Sequence, residues 1–415
     1  MNLIPDELKK AETPFLIINE GKILENLEIL RSRFSPETGF YYSVKTNYEL
    51  PVLKTLAAAG IGAEVSSGFE LSLAREAGFP PEKTVFDGPA WKEEELETAV
   101  RAKIRMFNLD SPAMAAKLNE VSTRLNSISP VTIRIQAATF PRVGFLPRFA
   151  RKFGVPPRAL RDLLSSLVQM KGLKLAGLST HTGTALSRPG PLLRAIGTLA
   201  KLAGELRSRD FPVDFLNLGG GLPAPGVRAL SPGDLLRIQL GFPPAPLPPG
   251  ETELSDFCRV VAEKISRELN PLKLQAAFEP GRSLVGNAGV LVTRIISIKD
   301  NWIFLDGGVN LLPESPFFLQ RRFFLAARPG EKSVRRFNLS GPSLNTADVI
   351  GLGIPLPRPE IGDLVVAENA GAYSISRANQ FTRLRPPVYF QMKNGKIKIC
   401  RRAETLEDLL RIWQS

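Results

Sequence analysis

Lys45 closes a mostly apolar run, Phe40 to Val44, and is followed directly by the polar pair Thr46-Asn47. An amine drawn partly out of water loses proton affinity, which suits it to attack an aldehyde and form a Schiff base. Other residues along the chain have types that suit a ligand of the same kind. His181 is the only histidine, in His181-Thr182-Gly183-Thr184. Its ring can stack on an aromatic ligand, and Thr184 can add a hydroxyl to an anion cup. Gly219-Gly220-Gly221 frees the backbone to fold closely around an anion and to offer several N–H groups. Glu279-Pro280-Gly281-Arg282 joins a carboxylate able to hold a ring nitrogen protonated to a guanidinium able to pair a phosphate bidentately. Each piece has a plainer use. A strand-end lysine can simply reach solvent, a glycine triplet can be a tight turn, and Glu279 with Arg282 can be a structural ion pair. A lone histidine can be a satisfied polar residue.

The elements that must position them decide between these uses. Residues 25 to 280 alternate apolar, β-rich runs with stretches whose apolar residues recur at three- and four-residue spacing. The predicted strands are Gly39–Val44, Ile61–Val65, Thr84–Phe86, Ile104–Leu109, Val131–Gln136, Leu173–Thr180, Val213–Leu218 and Leu272–Phe278. Eight strand–helix units in about 250 residues imply an α/β fold of the closed (β/α)8 TIM barrel type rather than an open sheet. The C-terminal strand ends of such a barrel carry the active site. Lys45, Glu64, Asn108, His181, the glycine triplet and Glu279 to Arg282 all fall at or just after those ends. A lysine amine, a ring partner and a phosphate cup on one rim describe pyridoxal 5′-phosphate as the cofactor.

Beyond about residue 284 short β runs are separated by Gly, Pro and Asn turns, and an amphipathic helix is predicted at Thr405–Trp413. The expected domains are a barrel over 25–284 and a mostly antiparallel β domain over 285–415. Residues 1–24 complete the β domain through a strand at Phe15–Ile18. The proline-rich stretch Gly241 to Gly250 reads as a surface linker, with a partner motif as the other use.

A chain of 415 residues with 43% hydrophobic and 23% charged residues is ordinary for a globular protein. The net charge of +13 admits nucleic acid, an anionic membrane or an acidic ligand. The basic residues are scattered, with no aromatic-interleaved stripe, so a basic solvated surface is expected and no nucleic-acid partner. No apolar run spans a bilayer and the N-terminus lacks an export pattern, so no membrane partner and a cytoplasmic location are expected. Cys258 and Cys400 alone make neither a disulfide framework nor a cysteine zinc site, and no metal is expected.

The chain resembles the fold-type III pyridoxal-phosphate decarboxylases, the group of ornithine, diaminopimelate and biosynthetic arginine decarboxylases, from about Thr13 to Pro387. Tyr42-Ser-Val-Lys45-Thr-Asn47 is similar to the cofactor-lysine motif. The segment from Glu64 to Leu71 resembles the one after strand two, with Glu64 where Asp is usual. Phe107 to Ser111 and Arg134 fit the next strand ends. His181-Thr-Gly-Thr184 resembles the ring-stacking motif, with Thr184 where Ser is usual. The glycine triplet and Glu279-Pro-Gly281-Arg282 match the phosphate loop and the acid of the pyridine nitrogen, and Tyr373 in Gly371-Ala372-Tyr373 matches a phosphate contact. The resemblance implies a head-to-tail homodimer with shared active sites.

Two segments depart from the pattern. Gly341-Pro-Ser-Leu344-Asn345-Thr-Ala-Asp348 has leucine where the family places a cysteine that governs protonation of the intermediate, and Asn345 where it places an acid. Glu314-Ser-Pro-Phe-Phe318 stands where diaminopimelate decarboxylases carry Arg-Pro-x-x-Tyr. Glu314, Phe318, Leu344, Asn345 and Asp348 are thus the candidate substrate-side residues. The expected activity is decarboxylation of an amino acid or its derivative through Lys45, with diaminopimelate disfavoured by motif. A racemase, and a non-catalytic homologue that binds an active relative, are the alternatives.

Overall fold

The computed structural model describes residues 4–136, 152–245, 247, 254–314 and 319–413. Its strands begin with β1 (Phe15–Asn19), followed by β2 (Gly39–Ser43), β3 (Gly62–Val65), β4 (Thr84–Asp87), β5 (Met106–Leu109), β6 (Ser129–Arg134), β7 (Leu173–Ser179), β8 (Phe215–Asn217), β9 (Val227–Ala229) and β10 (Gln275–Phe278). Strands β2 to β8 and β10 close a parallel barrel, with β10 pairing both β8 and β2. The barrel expected from the repeating units is therefore present. Two of the helices between the strands start at a serine whose side chain caps them. Ser67 accepts from the Glu70 N–H before Gly68–Ala77, and Ser111 from the Met114 N–H before Pro112–Arg124. These oxygens satisfy N–H groups that have no partner inside the helix. Tyr41, Val85, Met106, Phe215 and Ala277 fill one layer of the barrel interior. A packed interior keeps the strand ends in fixed register, which a site assembled from several strands requires.

The chain divides into two compact units, one of Glu28–Leu222 with Leu254–Gly281 and the other of Met1–Leu27, Pro223–Glu253 and Arg282–Ser415. The second unit holds β11 (Gly289–Lys299), β12 (Trp302–Leu305), β13 (Leu319–Arg321), β14 (Phe323–Leu325), β15 (Arg335–Ser340), β16 (Val349–Leu356), β17 (Leu364–Ala367), β18 (Val388–Gln391) and β19 (Ile397–Arg401). Its sheet is mostly antiparallel in the order β16-β15-β12-β11-β1-β18-β19, with β17 on β11 and β14 on β17. β1 lies antiparallel to β11, Ile17 opposite Val290, and parallel to β18. This register puts Phe15, Ile17, Val290, Val292 and Val366 in one buried cluster. Burying each such side chain contributes about 1.5–3 kcal/mol, enough to anchor the N-terminal strand far from its sequence neighbours. The final helix, Leu406–Trp413, buries none of its residues. Among the described residues no helix is long and apolar enough to cross a membrane.

Candidate active site

β2 ends at Ser43, and Val44–Thr46 forms a single 3-10 turn that carries Lys45 past the strand end. The Tyr42 hydroxyl donates to the Asn47 carbonyl at 2.9 Å, and the Ser43 N–H to the Pro280 carbonyl at 3.2 Å, so the turn is tied at both ends. Lys45 Nζ lies 2.6 and 2.7 Å from the two oxygens of Glu64 and 3.3 Å from Ser66 Oγ. Its side chain is 44% exposed whereas Glu64 is fully buried. The amine is thus charge-paired rather than isolated in an apolar wall. Burial alone would raise the Glu64 pKa, but the charge and hydrogen bonds of Lys45, with those of Ser43 and Ser66, outweigh it and hold the carboxyl below its usual range. Buried Glu70 accepts from the Ser66 N–H at 2.7 Å. Burial, and then the Glu64 charge, push its pKa up to about 7.

Glu279 follows β10 and is buried. Its Oε1 accepts from Asn217 Nδ2 at 2.7 Å and from Asn108 Nδ2 at 3.1 Å. The Asn108 Oδ1 in turn accepts from the Thr132 hydroxyl, which fixes that amide's orientation. Glu279 Oε2 accepts from no described residue. Desolvation raises the Glu279 pKa to about 8; Glu64 and Asp87 push the same way, and Lys45 and Asn217 oppose. The site holds a carboxyl that ionises readily only when a cation arrives beside it.

The His181 ring has an edge open to solvent, and its Nδ1 accepts from the Gly220 N–H at 3.2 Å. The strand ends around it disfavour a charged ring, Arg134 and Lys45 add repulsion, and its pKa falls to about 4. The ring is neutral at neutral pH. Arg134, at the end of β6, sits 3.3 Å from Asp87 and 4.0 Å from Asp110 and packs over Phe153. Burial would lower its pKa, but these carboxylates prevail and raise it. In the His181 loop Thr184 is exposed, whereas Thr182 is buried and its Oγ1, like Ser179 Oγ, has no hydrogen-bond partner among the described residues.

The glycine triplet is needed for contact as well as conformation. A Cβ on Gly220 would lie 2.7 Å from the Glu279 carbonyl oxygen, and one on Gly221, at φ +90°, 2.4 Å from that of Gly183. Gly221→Ala is expected to cost about 1–3 kcal/mol in urea unfolding, combining a left-handed backbone with overpacking. A variant as stable as the parent would show that the loop is slack. Gly281 serves a related end: a Cβ there would meet Thr46 Oγ1 at 2.2 Å.

In the second unit Arg282 is buried; its Nη2 lies 2.8 Å from Glu314 and its guanidinium 4.9 Å over the Tyr373 ring. Tyr373 adopts φ +56°. Gly371, two residues earlier, would bring a Cβ within 1.8 Å of the Val285 carbonyl, so only glycine lets that turn sit beside the Arg282 helix. Glu314 also lies 3.7 Å from Arg377, so it is held by the chain's own cations. Asp348 is buried and accepts from the N–H groups of Val309 (2.8 Å) and Ser343 (2.9 Å), organising its loop from within. Asn345 caps the Ala347 N–H at 2.9 Å, and Leu344 is fully exposed. Phe318 lies outside the described residues.

Lys45, Glu64, Arg134, His181, the glycine triplet and Glu279 are thus brought to one end of the barrel. Asp87 and Asn217 join them, and sequence reasoning passed over both. Each is a polar residue ending an apolar β run, the one available signal. Among the described residues no cluster suits a metal ion.

Residues 20–286 match the family model for the pyridoxal-dependent decarboxylase, pyridoxal binding domain. Diaminopimelate decarboxylase of Aquifex aeolicus is 27% identical over 404 residues, 95% of this chain and 90% of that protein. The Vibrio cholerae enzyme of the same name is 29% identical over 377 residues, 89% and 84% of the two chains. The crystal structure of diaminopimelate decarboxylase from Helicobacter pylori complexed with L-lysine superposes with a TM-score of 0.84 at 25% identity, over 99% of this chain and 98% of that one. These relatives overturn the expectation that set diaminopimelate aside, and with it the racemase and non-catalytic alternatives. The motif argument weighed a lost arginine, at position 314, and a lost tyrosine, at position 318, as though no other guanidinium were at hand. Arg282 and Arg377 both lie within 4 Å of Glu314.

Proposed function

The chain belongs to the pyridoxal-dependent decarboxylases, with pyridoxal 5′-phosphate as its cofactor, and from that premise we propose that it removes carbon dioxide from diaminopimelate. The observation that carries the substrate is the match, along nearly the whole chain, to diaminopimelate decarboxylases. The barrel fits the cofactor on its own terms. Among the described residues Glu279 is engaged through Oε1 alone and Thr182 Oγ1 is buried without a partner, and the glycine triplet leaves a cradle that side chains would fill. When bound, the cofactor supplies a pyridinium ring that accepts the electron pair released at Cα.

The residues divide the work. Glu279 would ionise when the cofactor binds and hold a ring nitrogen protonated, its Oε1 kept in place by Asn108 and Asn217. Neutral His181 would face the ring without bringing a competing charge. Gly219 to Gly221 and Thr184, with Gly281, would hold the phosphate. Arg134 is held at the end of β6 by Asp87 and Asp110. Lys45 anchors the cofactor, and Glu64 shares the proton at Nζ. Leu344 can donate no proton, whereas Lys45 Nζ carries one that it would be able to give at the reacting carbon.

We further propose a cytoplasmic homodimer with shared active sites. Leu344 and Phe381, both exposed and bordering one shallow pocket, offer apolar surface for a second copy. A monomer by sedimentation at micromolar concentration would rule this out. The substrate is tested by incubating the cofactor-loaded enzyme with meso-diaminopimelate, lysine, ornithine and arginine. Carbon dioxide and lysine are expected from diaminopimelate at a kcat/KM at least about tenfold above the rest. Release from another amino acid but not from diaminopimelate would defeat the assignment.

A further inference from the structure

Glu64 stands beside Ser43 in the β2–β3 register and is fully buried. Lys45 reaches both of its oxygens, and a serine hydroxyl holds each of them as well. Oε1 accepts from Lys45 Nζ at 2.6 Å and from Ser66 Oγ at 3.1 Å; Oε2 accepts from Lys45 Nζ at 2.7 Å and from Ser43 Oγ at 2.5 Å. Lys45 Nζ also lies 3.3 Å from Ser66 Oγ, so the three N–H donors of its ammonium meet three acceptors. Both serines are fixed through their backbones. The Ser43 N–H donates to the Pro280 carbonyl at 3.2 Å, and the Ser66 N–H to Glu70 at 2.7 Å. Lys45 cannot keep all three contacts once it holds a cofactor. When its ammonium condenses with an aldehyde, nitrogen and carbon become doubly bonded, and two of the N–H hydrogens leave with the aldehyde oxygen as water. One N–H then remains for three acceptors. At least one oxygen of Glu64 loses its cationic donor, in an interior where an uncompensated carboxylate is costly. The serine hydroxyls do not depend on Lys45. With it, they already hold the Glu64 carboxyl below its usual range against the opposing effect of burial.

We propose that Ser43 and Ser66 are positioning residues for cofactor attachment: each holds one oxygen of Glu64 while Lys45 gives up N–H contacts, so that the carboxylate stays in place to receive the N–H that remains. A plainer role, two hydroxyls that only satisfy a buried carboxylate, makes the same contacts in the empty site. The two roles part when the ammonium is consumed. The proposal rests on Lys45 as the cofactor anchor and is independent of the diaminopimelate assignment.

The test uses Ser43→Ala and Ser66→Ala in the full-length protein, each made in the wild type and in Lys45→Ala. Thermal melting of the apoprotein is the first readout. Each serine variant is expected to lower the melting temperature further in the Lys45→Ala background, where the hydroxyl removed is the last of these donors at its oxygen. Equal losses in the two backgrounds would overturn the proposal. The second readout is affinity. Pyridoxal phosphate and pyridoxamine phosphate are titrated into apoenzyme that retains Lys45. Pyridoxamine phosphate carries an amine in place of the aldehyde and cannot condense with Lys45. Each alanine variant is expected to weaken pyridoxal phosphate by about tenfold and to leave pyridoxamine phosphate unchanged. Equal weakening of both, which a distorted site would give, or of neither, overturns the role. If Ser43→Ala does not fold, Ser66→Ala carries both readouts. Borohydride treatment of the loaded wild type is scored separately. Cofactor fixed at Lys45 with both affinities unchanged in the variants removes the serines and leaves the anchor; cofactor not fixed at Lys45 removes the anchor itself.

Discussion

Lys45→Ala is expected to lower carbon dioxide release by about 10³-fold or more, because both the nucleophile and the proton carrier are lost together. Borohydride should no longer fix the cofactor to the chain, and the bound cofactor's visible absorption should change. The stability effect is expected to be small for a residue so central. Breaking a fully buried ion pair costs about 3–5 kcal/mol, but Lys45 is 44% exposed and water screens the pair, so about 1 kcal/mol is expected in urea unfolding. That cost arises from stranding Glu64, which is fully buried and retains only Ser43 and Ser66 as partners. Lys45→Ala/Glu64→Gln should therefore recover stability without recovering activity. A single variant that still releases carbon dioxide at the parental rate would remove Lys45 from the mechanism.

Glu279→Gln has the second-largest expected effect, and two measurements read it. Gln retains an Oε1 able to accept from both Asn108 and Asn217, so the local packing is preserved. What it lacks is the charge that holds a ring nitrogen protonated, and kcat is expected to fall by about 10²–10³-fold with little change in KM. The second readout needs no cofactor. A carboxyl whose pKa is higher in the folded than in the unfolded protein stabilises the fold below the unfolded value of 4.5 and loses that contribution as the pH climbs through about 8. Wild-type apoprotein should therefore melt at progressively lower temperature over this interval, and Glu279→Gln should fall less steeply and be the more stable above it. Glu70, raised to about 7 by burial, adds a like slope to both proteins and cancels in the comparison. Parallel melting curves would show that Glu279 is not held protonated in the empty site.

Much of the barrel was legible because strand and helix periodicities differ and alternated eight times, and a parallel sheet of that rhythm closes. Lys45, His181, the glycine triplet and Glu279 were legible for a related reason: a reactive or flexible residue directly after an apolar run falls on the strand-end rim. The residues that tune them were not. Asn217 and Asn108 meet Glu279 across sequence separations of 62 and 171 residues. No local pattern records that meeting. The state of Lys45 was also misread from sequence, since the expectation of a desolvated amine did not include Glu64 at 2.6 Å. The substrate was misjudged for the same reason, by reading the segment from Glu314 to Phe318 as sequence alone, whereas Arg282 and Arg377 lie beside Glu314 in space.

By itself, then, the sequence determined the class of fold, the cofactor chemistry and the rim on which it occurs. These follow from short-range order: hydrophobic period, turn composition and residue type. The tertiary structure alone decided the charge states. Whether Glu64 is ionised, Glu279 protonated or His181 neutral depends on desolvation and on charges from other strands, and both are properties of the folded interior.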